Sequence, residues 1–141
     1  MARVHGKNSN FSYNAVAIED ELNSIGISFE VPEGEITAFA DAWGNFLAGK
    51  PNVKTDIAGA LDMAASQGDV TLFAGFGAGP VTTVFDPDGS GPAADSPEYT
   101  CTASGLTGVL IESYNISLPV GGAATYTATL QHSGNTTRAV A

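Results

Sequence analysis

Apolar and polar residues alternate along most of this chain, and the alternation has the two-residue period of a β-strand rather than the 3.6 of a helix. Asn10 to Ala17 carries aromatic and β-branched residues near that period and predicts a short strand, followed by a turn or single helical turn at Glu19-Asp20-Glu21-Leu22. Ile25, Ile27, Phe29 and Val31 then alternate with Gly26, Ser28 and Glu30, the pattern of a strand with one wet face. Pro32-Glu33-Gly34 predicts a turn and Glu35 to Ala40 a returning strand, so that the two form a hairpin.

The period fails from Asp41 to Asn52. Trp43, Phe46 and Leu47 are large and apolar but lie among Gly44, Asn45, Gly49 and Pro51. Two readings are open: a loop tucked onto the domain's own core, or an extended loop whose aromatics anchor on a neighbouring subunit. Val53, Thr55, Ile57 and Leu61 predict a further strand with a bulge at Gly59.

One helix is predicted, over about residues 66–76. Ser66 and Asp69 stand three apart as in a capping box, Val70, Phe73 and Phe76 make an apolar stripe for a sheet to cover, and Gly77, Gly79 and Pro80 end it. The rest reads as strand and turn. Val81, Thr83 and Phe85 alternate, as do Tyr99, Cys101 and Ala103. Gly108 to Leu118 places Leu110, Tyr114, Ile116 and Leu118 on one face, and Ala124, Tyr126, Ala128 and Leu130 alternate with Thr125, Thr127 and Thr129. Around Pro119-Val120-Gly121-Gly122 these last two runs predict a long antiparallel hairpin. No internal repeat or linker divides the 141 residues, which predict one mainly β domain of two packed antiparallel sheets with a short flanking helix. An N-terminal arm (1–9), a long loop (41–52) and a C-terminal arm (134–141) complete it.

Charge changes this picture more than size does. Only 14% of the residues are charged, and the net charge is −10. From Thr55 to Thr137 there is no Lys or Arg, while Asp56, Asp62, Asp69, Asp86, Asp88, Asp95, Glu98 and Glu112 are all acidic. Such a surface cannot release counterions from a phosphate backbone, which argues against direct nucleic-acid binding. Solubility alone is the plainer account of the acidity. No apolar run is long enough for a membrane helix, and no apolar segment follows Met1 to Lys7, so synthesis in a cytoplasm is expected.

Candidate chemistry is sparse. The two histidines, His5 and His132, belong to no nucleophile or metal motif and read as surface polar residues, and Cys101 reads as a buried thiol. No cofactor motif is present. Asp86-Pro87-Asp88-Gly89-Ser90-Gly91 starts like a calcium loop, with Asp86, Asp88 and Ser90 as oxygen donors, but Pro97 stands at the twelfth position with Glu98 beside it. Asp, Gly, Ser and Pro also make ordinary polar turns. With no acid, base and nucleophile to assemble, an enzyme is the least favoured class.

The opening Ala2-Arg3-Val4-His5-Gly6-Lys7-Asn8 leads into a strand. Ile27-Ser28-Phe29-Glu30-Val31, Glu35-Ile36-Thr37-Ala38-Phe39 and Ile57-Ala58-Gly59-Ala60-Leu61-Asp62 follow in strand, strand, long loop, strand order. Tyr114 to Gln131 and Ser133 to Arg138 close the chain. In these stretches the chain resembles the major tail tube proteins of long-tailed bacteriophages. The resemblance implies a structural virion protein whose subunits form hexameric rings, with inner strands joined into one barrel and rings stacked into a tube. It implies that the loop bearing Trp43, Phe46 and Leu47 contacts the next ring, and that the termini, with Arg3, His5 and Arg138, serve in such contacts. Other tail proteins would be partners, and viral DNA would pass from capsid to cell through an acidic lumen without specific binding. The protein would then reside in the phage tail, assembled in the host cytoplasm, with no cofactor and no membrane. The alternatives are a capsid decoration or head–tail joining protein and, from a different class, a secreted calcium- or carbohydrate-binding β-sandwich.

Overall fold

In the computed structural model the described residues are 9–18, 22–61, 68–92 and 96–140. They form eleven strands and one helix, and the core lies between two antiparallel sheets. The predicted architecture is therefore present, with differences that are physically informative.

The run Asn10 to Ala17 is a hairpin rather than one strand. β1 (Asn10–Tyr13) turns back into β2 (Val16–Ala17) through Asn14 and Ala15, both at positive φ. Two left-handed residues give a turn whose twist matches that of the strands it joins. β3 (Leu22–Glu30) follows, then β4 (Glu33–Glu35), β5 (Phe46–Ala48) and β6 (Asn52–Ala60). The returning strand expected at 35–40 does not form: β4 pairs with β5, not with β3. Residues 33–48 are thus a separate two-stranded arm. Its tip is fastened by polar bonds, with Ile36 N donating to Asn45 O (2.8 Å), Asn45 N to Thr37 Oγ1 (2.7 Å) and Ala38 N to Asp41 Oδ2 (2.7 Å).

The described part of the helix, α1 (Gly68–Gly75), ends one residue before the expected end, and Ser66, its predicted cap, lies outside the described residues. Its buried side is not the predicted one. Leu72 is fully buried in the core, whereas Val70, Phe73 and Phe76 are exposed. Gly75 lies against the ring and hydroxyl of Tyr13, so closely that a Cβ there would collide with the Tyr13 hydroxyl. The helix can settle between the sheets only with its small residue at that contact.

β7 (Thr83–Asp86), β8 (Glu98–Cys101), β9 (Gly108–Ser117), β10 (Thr125–Ser133) and β11 (Thr137–Ala139) complete the chain. One sheet has the order β11-β8-β7-β1-β2 and the other β3-β6-β10-β9. The predicted hairpin of the last long strands is β9–β10, and Tyr126, Ala128 and Leu130 are buried as their alternation requires. Part of the segment read as a C-terminal arm is docked: β11 pairs with β8.

β9 departs from simple alternation. Ser113 pairs with Thr129 and Ile111 with Leu130, leaving Glu112 as an extra residue. This bulge reverses the parity, so Val109 and Ile111 join Tyr114 on the core side while Leu110 turns outward. Leu110 was expected on the Tyr114 face, and the bulge is why it is not. The bulge expected at Gly59 falls instead on its partner strand: Leu22 pairs with Gly59 and Ser24 with Ala58, leaving Asn23 extra.

Candidate assembly surfaces

The alternation that buries one face of the four-stranded sheet sets the other face. Opposite the core residues lie Ser24, Gly26 and Ser28 of β3, Asp56 and Ala58 of β6, Thr125, Thr127 and Thr129 of β10, and Ser113, Asn115 and Ser117 of β9. Directly paired residues share a face, so this surface is almost wholly small and polar. Its cation is Lys54, held by Glu112 at 3.1 Å, with both side chains substantially exposed. An exposed pair of this kind adds little stability. It does leave the one positive charge of the face neutralised, beside Glu30 and Asp56.

The acidity of the second half is therefore not gathered on this face. Asp56 and Glu112 are on it, but Asp69 accepts a hydrogen bond from the Tyr114 hydroxyl (2.6 Å), Asp86 and Asp88 are absorbed in their own loop, and Glu98 is in β8. Asp62 and Asp95 lie outside the described residues.

Both margins of the sheet are open. Among the described residues β3 has no partner on its outer side, and β9 has only the bridge between Val109 and Val81 on its own. Two rows of unpaired N–H and C=O groups at the margins of a nine- to ten-residue sheet invite further strands.

The arm carries the large apolar residues for which the sequence allowed two readings. Trp43 is 84% exposed, and Phe46 and Leu47 are also exposed, as are Ile36 and Phe39, so the loop is not tucked onto the core. Arg138, in β11, is exposed on the margin of the five-stranded sheet, opposite Tyr99. Arg3 and His5 lie outside the described residues. The outward face of α1 was missed as a surface because its stripe was read as core.

The Asp86 loop closes on itself. Asp86 is buried, its Oδ1 accepts the N–H groups of Gly89 (3.0 Å) and Asp88 (3.3 Å), and its Oδ2 accepts that of Gly91 (2.6 Å). Gly89 and Gly91 sit at positive φ, which a side chain would resist. Asp88 accepts the Ser96 hydroxyl and, at 3.0 and 2.8 Å, the N–H and hydroxyl of Ser90. The Ser96 hydroxyl first, and then the Ser90 groups, hold the Asp88 carboxyl down to about 2. Its carboxylates thus serve as acceptors for the turn, and no group of three or more metal-ligating side chains occurs among the described residues.

His132 is not the surface residue its position suggested. It continues the buried parity of β10 and is sealed by two threonines, Thr55 Oγ1 at its Nε2 and Thr136 Oγ1 at its Nδ1, each at 2.7 Å. Burial pushes its pKa below the usual 6.5. The unfolded chain therefore binds a proton near pH 6.5 that the folded chain refuses. Its contribution is intact above pH 6.5 and falls as the pH drops below that value toward the depressed folded pKa. Denaturant titrations of the unassembled subunit at several pH values should show this decline in the parent and not in His132→Gln, and equal slopes would refute it. Cys101 is fully buried as expected, and burial raises its thiol pKa.

These surfaces define a β-sandwich with two open sheet margins, a polar outer face and a projecting apolar arm. Solved structures place that architecture. A chain of the virion of a native gene transfer agent particle matches with a TM-score of 0.74 at 17% identity, over 97% of this chain and 98% of that one. The SPP1 tail tube matches at 0.72 and 12% identity, over 99% of this chain and 80% of that one. The tail of the empty gene transfer agent particle, refined with helical and C6 symmetry, matches at 0.65 and 19% identity, over 83% and 81%. The chain shares the tail-tube fold. No protein-family model and no curated protein matches its sequence.

Proposed function

We propose that this chain is the repeating subunit of a phage-type tail tube, a structural virion protein and not an enzyme. Copies join side by side through the open margins of β3 and β9, so that their four-stranded sheets close into one barrel. Six copies form a ring, as the C6 symmetry of the gene transfer agent tail suggests for this fold, and rings stack with the arm reaching across. The Ser/Thr face of the sheet lines the bore, and other tail proteins cap its ends.

The observation that carries this reading is the four-stranded sheet itself. Among the described residues its margins are unpaired but for the Val109–Val81 bridge, and its outer face carries Leu110 as its one large apolar side chain. Rolled into a ring, the sheet loses its open edges and presents hydroxyls and amides to water. DNA meets Glu30, Asp56 and Glu112, with Lys54 already paired, so phosphates find no cation to grip. The bore is thus mildly acidic, and small hydroxyl-bearing residues rather than a dense carboxylate lining keep DNA moving.

Negative-stain electron microscopy of the purified protein at high concentration is the test. Tubes of uniform bore are expected. A strictly monomeric species would refute the reading, and discrete trimers without tubes would favour a capsid decoration protein.

A further inference from the structure

Among the described residues, two apolar surfaces have no partner, the arm and the outward face of α1. Phe39, Trp43 and Phe46 are each of a type that buries about 150–250 Å² when covered. With Ile36 and Leu47, they give the arm exposed apolar area on both of its faces, because Phe46 and Leu47 are consecutive in β5. The total matches in scale the ~800 Å² that each partner contributes to a standard interface, as an arm inserted into a neighbour would bury it from both sides. Val70 and Phe73 of α1, with Phe76 one residue past its end, recur every three residues along one side and are all exposed. Asp69, the acid in the first turn, lies on the same side between Phe73 and Phe76, and its carboxylate is engaged by the Tyr114 hydroxyl.

The two surfaces belong to opposite ends of the four-stranded sheet. The arm leaves where Glu30 pairs with Asn52. α1 is tied nearer the other end, where β6 finishes at Ala60: its Asp69 accepts the hydroxyl of Tyr114, three residues from the Ser117 end of β9. A contact between unlike surfaces at opposite ends relates copies head to tail and does not close on itself, which is the symmetry of a stack.

We propose that the face Val70, Phe73 and Phe76 is the seat of the arm of a second copy of this chain, with Trp43 set against the helix. This rests on the tube reading and names the surface that receives the arm between rings. The β9–β10 turn at the same end, with exposed Leu118 and Val120, is the competing seat, but it offers two apolar side chains where the helix offers a row of three.

Trp43→Cys and Phe73→Cys are made as separate proteins, mixed in equal parts, assembled and treated with a short bis-maleimide linker. Cys101 is buried and does not compete. A covalent dimer containing one chain of each kind is expected, and little is expected when Val120→Cys replaces Phe73→Cys. Tubes without the mixed dimer, or a mixed dimer through Val120→Cys alone, overturn the pairing and leave the tube reading standing. Failure of the parent to form tubes overturns the tube reading itself. Phe73→Asp gives a second readout that needs no cross-link. Its arm can still dock while its helix cannot receive one, so equal parts mixed into parent protein should shorten tubes at least twofold, and unchanged lengths overturn the proposal.

Discussion

Leu72→Ala is expected to destabilise the unassembled subunit by about 3 kcal/mol, while Phe73→Ala, one residue on, should change it by less than about 0.5 kcal/mol. Leu72 is fully buried in the cluster that includes Tyr13, Tyr126 and Leu130, so its truncation leaves a cavity the sheets cannot close. Phe73 is 67% exposed, and its ring makes no part of that core. Urea titrations of both variants, at concentrations too low for assembly, measure the difference. Equal costs would show that α1 is rotated from the orientation described and that its apolar stripe is core after all. Assembly should respond in the opposite order, with Phe73→Ala the more damaging among variants that fold.

The second large effect belongs to Asp86→Ala, for which a loss of about 2–3 kcal/mol is expected. Asp86 ends β7 opposite Asn10, and its carboxylate takes three backbone N–H groups of the loop that follows. Bonds to a charged acceptor are stronger than neutral ones, and alanine leaves three partly buried donors without an acceptor. Asp86→Asn should recover about half of the loss, because its carbonyl oxygen still accepts. Added Ca²⁺ should leave the melting temperature of the parent unchanged, since the carboxylate oxygens a cation would need already hold the turn. A chelator-reversible rise with Ca²⁺ would overturn this account of the loop.

Much of the fold was legible in the chain because period-two patterning reports directly which face of a strand is wet. β10 is the clearest case, where Thr125, Thr127 and Thr129 separate three buried residues. Extended one step further, the same parity marks His132 as buried, and only its lack of a nucleophile or metal motif suggested a surface residue. The β9 bulge was not legible, because Glu112 changes the parity through backbone pairing with β10, a non-local event no short window contains. The arm was misread for a related reason. Ile36 and Phe39 look like strand core to any pattern that assumes every apolar residue finds a home in its own chain. Here they do not. Likewise the spacing of Val70, Phe73 and Phe76 identified an apolar face of α1 but not that Leu72 would be the residue turned inward. The polar sheet face was visible as alternating Ser and Thr, but its open margins emerged only from strand order.

The alternation along Thr125–Ser133 divides the strand into two registers of constraint. Positions 126, 128, 130 and 132 answer to the shape of the core, while 125, 127 and 129 face the space beyond the sheet, with Thr129 also donating to Asp56. Mutational drift at the second set can proceed without retuning the first. In the tube proposed above, the inner wall could be rewritten one ring of identical side chains at a time, which is the property sought in a programmable nanopore.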